Sequence, residues 1–208
     1  MNPSADALKR QFGAAVRRVT ESCGTTIVYI DPTRVREILA WLKDAPGEAY
    51  NYLADVTAVE YRDADLPLEV VYELFSLSRR MGLRVKAALP KDGALELDSV
   101  VPLWAGADWL EREVFDMFGI RFHGHPDLRR ILMWETYAEG HPLRKDFPLR
   151  GRFSRSEQVR QALNANPEAH YSLAELGIAE AYYELPADLR ERLSRGERGR
   201  IADAKGGR

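Results

Sequence analysis

Hydrophobic positions near the start of the chain recur with the spacing of an α-helix. The run SADALKRQFGAAVRRV puts four of them on one side of a helix: Leu8, Phe12, Ala15 and Val19. Ser4 stands where its hydroxyl can cap the first turn. The β-branched residues of TTIVYI follow and favour a strand. The chain is therefore predicted to open with a helix and a strand.

A second helix is predicted directly after that strand. Asp31 supplies a capping carboxylate, and Pro32 suits the first helical position because its fixed φ is already helical. The run RVREILAWLKD then carries one apolar face, formed by Val35, Ile38, Leu39 and Leu42. The sequence APGE ends this helix, and the hydrophobic spacing changes from helical to alternating.

Three runs typical of strands follow, namely YNYLADVTAVEYR, LEVVYELFSLS and GLRVKAALP, and the turns between them favour an antiparallel meander. Two helices can cover only one face of such a sheet. Residues 1–119 are therefore predicted to form a two-layer α+β domain with a mixed sheet and two covering helices, the first strand joining the meander through the second helix. The tyrosines of this region are expected to fill the sheet: Tyr50, Tyr52, Tyr61 and Tyr72.

A third helix is predicted from Trp109 to Phe118. Asp108 and Glu111 have the spacing of a capping box at its start, and Gly119 suits its end. The apolar stripe of this helix consists of Leu110, Val114, Met117 and Phe118. Its carboxylates are predicted to project elsewhere: Glu111, Glu113 and Asp116. They resemble an acid–base site, but the helix macrodipole and pairing with nearby arginines account for them more simply.

Turns and basic residues alternate beyond this helix. DLRRILM is predicted to be a short helix and PLRKDFPL a loop, and together they present four cations: Arg129, Arg130, Arg144 and Lys145. Arginine suits bidentate pairing with carboxylates, either within the chain or on a partner. Phosphate binding is the weaker interpretation, because neither of the usual glycine-rich phosphate-binding patterns occurs.

The histidines of this region admit two interpretations. One is a metal-ligand set in a stand-alone metal-dependent hydrolase, formed by His123, His125, Asp127 and His141. The repeated Gly-His-Pro instead favours two matched turns, in which a histidine braces the loop by hydrogen bonds from both ring nitrogens. Bracing is preferred, because the sequence supplies no further carboxylates and no nucleophile of the kind that a hydrolase needs.

Composition narrows the chemistry further. Cys23 is the only cysteine, so the chain can hold neither an iron–sulfur cluster nor a cysteine-rich zinc site. No run of about 20 apolar residues occurs, which predicts that any membrane association comes through a partner. Residues 62–118 carry 11 acidic against 7 basic residues, whereas residues 121–160 carry 9 basic against 5 acidic ones. These opposite excesses favour a protein–protein contact over nucleic-acid binding.

The segment EREVFDMFGIRFHGHPDLRRIL, followed by EGHPLRKDFPL, resembles the signature of a known family. This family is the 30-kDa or C-type subunit of respiratory complex I, the proton-translocating NADH:quinone oxidoreductase. The resemblance covers residues 110–149 without a break, and VVYELFSL and DSVVPLWAGADWLEREVFD before it are also similar to the family. The order of elements agrees with the family as well, an α/β N-terminal domain followed by an extended arm.

The resemblance implies a non-catalytic structural or assembly subunit of the peripheral arm, in a complex that passes electrons from NADH through FMN and iron–sulfur centres to quinone. No cofactor is expected in this chain, since FMN and the clusters belong to partner subunits. The expected partners are the quinone-site subunit, of the 49-kDa or D type, and the iron–sulfur subunits. The motif marks the following residues for partner binding or loop bracing: Glu111, Arg112, Glu113, Asp116, Phe118, Gly119, His125, Pro126, Asp127, Arg129, Arg130, His141, Pro142, Arg144, Lys145, Asp146 and Pro148.

Residues 120–150 are thus predicted to form a signature loop region, and residues 151–208 an extended partner-docking arm. The arm departs from family members that continue with a segment resembling GYxEVRYD, and its own runs SEQVRQAL and ADLRERL predict short helices. Residues 150–195 are expected to be poorly ordered in the isolated chain, and those after Gly196 disordered. The absence of an imported leader favours a bacterial protein, held peripherally on the cytoplasmic side of the inner membrane. A related membrane-bound hydrogenase, or a complex with another electron donor, remains an alternative, because equivalent subunits share part of the motif.

Overall fold

The computed structural model describes residues 2–61, 67–90 and 93–154, together with residues 157, 158, 160, 161, 187, 190 and 191. Two compact units divide the chain, Met1–Ala162 and Leu163–Arg208. The described residues beyond 154 are helical, and they fall within the two helices predicted for the arm. The expected disorder of residues 150–195 and of those after Gly196 falls mostly or wholly outside the described residues.

Helices and strands alternate through the first unit, here numbered in chain order over the described residues. The α-helices are α1 Ser4–Phe12, α2 Val35–Asp44 and α3 Ala107–Phe118. The strands are β1 Val16–Ser22, β2 Thr25–Ile30, β3 Tyr52–Glu60, β4 Leu68–Ser76, β5 Met81–Leu89, β6 Glu96–Asp98 and β7 Arg121–His123. None of the helices described is both long and apolar enough to cross a membrane.

Five strands form one mixed sheet in the order β1-β2-β5-β4-β3. Strands β3, β4 and β5 make the antiparallel meander that the sequence predicts, and β2 lies parallel to β5. A parallel neighbour requires a crossover connection, and α2 lies in the chain between β2 and the meander. The short strands β6 and β7 pair in parallel outside this sheet. The hydrophobic pattern predicted neither of them.

The core lies on one face of the sheet. The pairing register aligns a row of side chains across all five strands: Val19, Val28, Val85, Tyr72 and Val56. Residues from α1, α2 and α3 belong to the same buried cluster, so three helices cover this face rather than the two that were predicted. The α+β class and the mixed sheet are confirmed.

The opposite face of the sheet is polar and joined across its strands. Lys86 Nζ lies 2.8 Å from Glu69 Oε2, which also accepts a hydrogen bond from the Tyr61 hydroxyl at 2.8 Å. Lys86 and Arg18 both lie over the ring of Tyr29, and the Arg18 guanidinium is 3.9 Å from its centroid. Side chains that alternate along each strand therefore separate a hydrophobic face from a charged one.

Not all four tyrosines fill the sheet. Tyr50 and Tyr72 are fully buried, but Tyr52 is 52% exposed. A register shift between Leu53 and Asp55 places Tyr52 opposite Phe75, on the outer face of β3. A bulge of this kind reverses the alternation of side chains, so Tyr52 faces outward instead of filling the sheet as expected.

The first predicted helix is too long. Helix α1 ends at Phe12, Gly13 follows with a φ of 52°, and β1 occupies the residues that continue the helical spacing. Ser4 lies inside the first turn without capping it, and its hydroxyl is 3.0 Å from that of Tyr50. Pairing with β2 makes β1 a strand, because a ladder of backbone hydrogen bonds outweighs weak local helical spacing.

The predicted start of the second helix is confirmed. Asp31 Oδ1 accepts the backbone N–H of Thr33 at 2.9 Å and caps a short 3₁₀ turn, Pro32–Arg34, that leads into α2. The Thr33 hydroxyl and the guanidinium of Arg17 stabilise the carboxylate and lower the pKa of Asp31 to about 2. The apolar face predicted for α2 is buried in full.

Candidate functional site

The signature segment, defined here as residues 107–153, begins with α3 and continues through β7 into irregular chain. Helix α3 starts at Ala107 rather than Trp109, and Gly119 ends it in the left-handed conformation, as predicted. The helix predicted for DLRRILM is wrong, because residues 127–133 are irregular. The backbone N–H groups of Ile131, Leu132 and Met133 donate to a carboxylate of α3 instead of to helix carbonyls.

Asp116 is the centre of hydrogen bonding in this segment. Its Oδ2 accepts the backbone N–H groups of Ile131, Leu132 and Met133 at 3.1, 2.8 and 2.8 Å. Its Oδ1 accepts Nη1 of Arg130 at 2.6 Å, and its side chain is fully buried. Burial raises the pKa of Asp116, but these hydrogen bonds outweigh burial and hold the pKa below its usual value. The carboxylate points inward, contrary to the prediction, and pairing with an arginine is confirmed.

Two arginines fasten the loop by donating to backbone carbonyls. Arg130 Nη2 donates to the carbonyl of Gly140 at 3.0 Å, and its guanidinium lies 5.2 Å from the ring centroid of Tyr137. Arg112 Nε donates to the carbonyl of Arg129 at 3.2 Å, and its Nη2 donates to that of Arg130 at 3.0 Å. A planar guanidinium carries several donors in fixed directions, so each of these arginines holds two points of the chain.

His125 uses both ring nitrogens to brace its turn, as the sequence predicts. Nδ1 accepts the backbone N–H of Asp127 at 3.0 Å, so the ring proton is on Nε2, which donates to the carbonyl of Asp108 at 3.1 Å. This side chain is completely buried. The capping box predicted for Asp108 is wrong, because Gly106 occupies the cap position and no side chain caps α3.

His141 fastens the second Gly-His-Pro turn to the end of α3. Its Nδ1 donates to the carbonyl of Asp116 at 2.9 Å, and its ring meets Phe115 edge-on. The ring also lies directly against Gly119, where a Cβ would come within 2.6 Å of the His141 Cδ2. A glycine is therefore required at this position for two reasons, namely the left-handed backbone and the close approach of the ring.

The histidines do not assemble a metal site. Over the described part of the chain, no three His, Cys, Asp or Glu side chains converge in a way that could hold a metal ion. His123 pairs with Glu96 at 2.8 Å on an exposed surface, while His125 and His141 bind backbone atoms. His125 and His141 therefore brace the loop, whereas His123 forms only a surface pair.

Two carboxylates outside the predicted set also hold the segment. Glu60 Oε2 accepts the backbone N–H of Lys145 at 2.8 Å, and Glu139 accepts the N–H of Phe153 at 3.1 Å and the amide of Gln158 at 2.9 Å. Both glutamates are buried. Alternation in β3 puts Glu60 on the core face, and a carboxylate on a core face needs a partner. That signal could have identified Glu60 from the sequence.

Glu111 is a fully buried carboxylate of α3. Its Oε1 accepts the backbone N–H of Val100 at 2.7 Å, whereas its Oε2 is buried without a hydrogen-bond partner among the described residues. The hydroxyl of Tyr72 is also buried without a hydrogen-bond partner among the described residues. Burial raises the pKa of Glu111, although the hydrogen bond from Val100 opposes that effect. Glu111 faces the interior, although the sequence predicted that it projects away from the apolar stripe of the helix.

We expect Glu111→Gln to raise the free energy of unfolding at about pH 8 by ~1 kcal/mol, because the amide keeps an acceptor for Val100 and an unpaired buried amide costs less than an unpaired buried charge. The folded-state pKa of Glu111 lies above 4.5, so the native state binds the proton more tightly than the unfolded state does. The stability gained from that proton is complete below pH 4.5 and is lost as the pH rises through the folded pKa.

Urea unfolding of both proteins over this pH range tests the prediction. The advantage of Glu111→Gln should shrink as the pH falls. Glu113→Gln alters an exposed carboxylate of the same helix and should show no such trend. A Glu111→Gln protein that is less stable than wild type at about pH 8 would contradict the expected effect.

The remaining predicted site residues divide by exposure. Phe118 belongs to the core, and Arg144 and Pro142 are partly buried. The exposed members are Glu113, Pro126, Asp127, Arg129, Lys145, Asp146 and Pro148. Arg129 and Asp127 pair at 2.7 Å on this surface, where an ion pair contributes little to stability. The signature therefore consists of two sets of residues. The exposed members just named form the outward-facing set, and the bracing set holds the loop from inside: Arg112, Asp116, His125, Arg130 and His141.

Comparison with known proteins identifies the family of this chain. Residues 28–153 match the family model described as respiratory-chain NADH dehydrogenase, 30-kDa subunit. The NADH-quinone oxidoreductase C subunit of Geobacter metallireducens is 44% identical over 151 residues, which cover 72% of this chain and 91% of that protein. The NADH-quinone oxidoreductase C subunit numbered 2 of Rhizobium etli is 42% identical over 144 residues, covering 69% and 75% respectively.

Two solved structures share the fold. The trypsin-resistant fragment of Nqo5 is 31% identical, with a TM-score of 0.52 over 61% of this chain and 100% of the fragment. The membrane-bound sulfane sulfur reductase, an archaeal respiratory membrane complex, contains a chain with a TM-score of 0.58 at 20% identity, covering 71% of this chain and 87% of that one. The second likeness concerns the fold alone. The family match spans more than half of the chain and includes the whole bracing set. The chain therefore belongs to the family of the 30-kDa subunit of respiratory-chain NADH dehydrogenase.

Proposed function

We propose that this chain is a structural subunit of the peripheral arm of a bacterial proton-translocating NADH:quinone oxidoreductase and carries no catalytic or redox centre of its own. One observation carries the proposal. The buried polar side chains of the signature bind this chain's own backbone, and thereby hold an irregular segment in one shape. Such a segment presents a fixed surface to other proteins.

The chemistry of the bracing set supports a structural role. A catalytic acid or base must reach a substrate with a free lone pair or proton. Both oxygens of Asp116 and both ring nitrogens of His125 are occupied by internal hydrogen bonds. Replacing these contacts with a substrate would dismantle the loop. Recognition by the outward-facing set leaves them intact.

The proposed partners are the quinone-site subunit, of the 49-kDa or D type, and the iron–sulfur subunits. FMN and the clusters reside in those partners, and contact with the membrane comes through the complex on its cytoplasmic side. Relatives above 40% identity carry the name of an NADH-quinone oxidoreductase C subunit, which favours NADH over another electron donor. The likeness to the sulfane sulfur reductase complex, at 20% identity, supports no competing assignment.

Affinity purification of the tagged chain from gently detergent-solubilised membranes tests the proposal. We expect flavin, iron–sulfur and membrane-arm subunits to be recovered with it, along with NADH:quinone activity. Tagged Arg130→Ala, which removes a brace, should recover much less of these partners than tagged Arg80→Ala, which alters an exposed arginine. Recovery of the wild-type chain alone would contradict the proposal.

A further inference from the structure

An open pocket lies in the irregular part of the signature segment. It has a volume of about 400 Å³, and its walls are mainly aromatic and aliphatic: Met133, Trp134, Tyr137, Pro142, Phe147 and Leu149. Trp134 and Tyr137 meet edge to face with ring centroids 4.9 Å apart, which fixes one wall. An apolar pocket with a rigid aromatic wall suits a large hydrophobic side chain.

The indole N–H of Trp134 has no acceptor among the residues that the structure describes. Its Nε1 is closed to solvent and makes no hydrogen bond within the described residues. Buried donors are rarely left unpaired, because neither water nor protein then compensates their desolvation. Trp134 lines the open pocket, so a carbonyl or carboxylate of a partner inserted there would lie beside the indole. The unpaired N–H therefore indicates that the missing partner group is a hydrogen-bond acceptor.

Exposed hydrophobic residues lie at the pocket, in the neighbouring groove and close to both in sequence. Leu149 is fully exposed at 103% and borders both this pocket and a second groove of about 710 Å³. Leu143 in that groove is 50% exposed, and Phe153 nearby in sequence is 40% exposed. Clustered exposed apolar side chains of this kind mark an interaction surface rather than ordinary solvent-facing residues.

The charge beside these residues is positive. Arg150 lines the pocket, and Lys145 lines the second groove. Residues 121–160 as a whole carry 9 basic and 5 acidic side chains. A second copy of this chain would bring the same positive charge against itself at a symmetric contact, which is unfavourable. An acidic partner is favoured instead.

We propose that the pocket receives a large apolar side chain of a neighbouring subunit, flanked by carboxylates and followed by a carbonyl that accepts the Trp134 N–H. This inference rests on the proposed function, because it assigns a docking point to a subunit of that complex. The apolar side chain fills the pocket, the carboxylates meet Arg150 and Lys145, and the carbonyl pairs the buried donor.

Photo-crosslinking in the assembled complex tests the occupant. Benzoylphenylalanine in place of Leu149 should give, on irradiation of purified complex, an adduct with another subunit at a peptide that contains Asp or Glu. The same probe in place of Leu77, which is 59% exposed on another part of the chain, is the matched control and should not label that peptide. An adduct to a second copy, an adduct within this chain, or no adduct would overturn the inference.

Substitutions test the recognition chemistry. Trp134→Phe keeps an aromatic wall and removes the donor, so the subunit should be lost from the complex during high-salt washing about 5- to 10-fold faster than wild type. Trp109→Phe, at a tryptophan 71% exposed, should be retained like wild type. A subunit with Arg150→Glu should also be lost from the complex faster than one with Arg80→Glu, which reverses the charge of an exposed arginine elsewhere.

Two controls keep the outcomes separate. Thermal unfolding of isolated Trp134→Phe should show no loss of stability relative to wild type, which excludes a folding defect. One outcome is that the wild-type chain recovers its partners while Trp134→Phe and Arg150→Glu stay in the complex as long as wild type does. In that case the pocket inference is wrong and the proposed function stands. If the wild-type chain recovers no partners, the proposed function itself fails.

Discussion

Asp116→Asn should lower the free energy of unfolding of the isolated chain by about 3–5 kcal/mol, the usual cost of breaking a buried ion pair from one side. Asp116 serves two sets of donors, with one oxygen on three backbone N–H groups and the other on Arg130. Asparagine has one acceptor oxygen, so its amide must face either the guanidinium or the backbone donors. Either orientation leaves buried donors unpaired.

Urea denaturation of the isolated chain measures this loss. Asp127→Asn is the matched control, because it removes a carboxylate of the same segment whose ion pair with Arg129 is exposed. The control should unfold like wild type, since exposed pairs add little. An Asp116→Asn protein as stable as the control would show that the carboxylate does not brace the loop.

The same substitution should act on assembly more than on turnover. With Asp116→Asn or Arg130→Ala, less of the chain should be incorporated into complex, while NADH:quinone turnover per assembled complex stays near wild type. The reason is that both side chains hold the loop and neither is free to reach a substrate. A variant that assembles fully but cannot reduce quinone would place the residue near the chemistry.

Strong acid should remove the stability that the Asp116 carboxylate contributes to the fold. The folded pKa of Asp116 lies below 3.8, so the stability contributed by its carboxylate is fully present above that pH. It is lost as the pH falls through the folded pKa, when the native carboxylate takes up a proton. The difference between wild type and Asp116→Asn should therefore narrow in strong acid.

Gly119→Ala is expected to have the second largest effect, a loss of about 2–3 kcal/mol in the free energy of unfolding. An alanine with a φ of 80° costs roughly 1 kcal/mol or more. Its Cβ would also lie 2.6 Å from the His141 Cδ2 and displace the ring that donates to Asp116. Losing that hydrogen bond adds about 1 kcal/mol.

Gly47→Ala separates these two contributions. Gly47 has a φ of 87°, and no atom lies within 4 Å of the place that an alanine Cβ would take, so alanine there reports the backbone cost alone. A double-mutant cycle with His141→Ala reports the contact, because removing the ring should make Gly119→Ala less costly. If Gly119→Ala and Gly47→Ala lose the same stability, the close approach of His141 contributes nothing.

Local patterns predicted the elements whose structure depends on neighbouring residues. The cap at Asp31, the buried face of α2, the meander and the C-terminal glycine of α3 were all readable from spacing and turn chemistry. The bracing role of His125 followed from the Gly-His-Pro turns. The family signature added the expectation of a subunit and marked which side chains mattered.

Other features followed from contacts between distant segments. Strand β1 was misassigned because its hydrophobic spacing also fits a helix and only pairing with β2 selects the strand. Residues 127–133 were predicted to be helical from their local sequence. The carboxylate that binds the N–H groups of residues 131–133 is on α3, and the local sequence gives no sign of it. The sequence did not indicate Glu139, because only the fold brings its partners Phe153 and Gln158 to it.

The sequence by itself determined the α+β class, the family and the residues of the signature. The tertiary structure decided which of those residues brace the loop and which face outward. The physical reason is that periodicity reports only whether a side chain faces the core. A buried charge is satisfied by whichever donors the fold brings to it, and for Asp116 those donors lie 14 to 17 residues away.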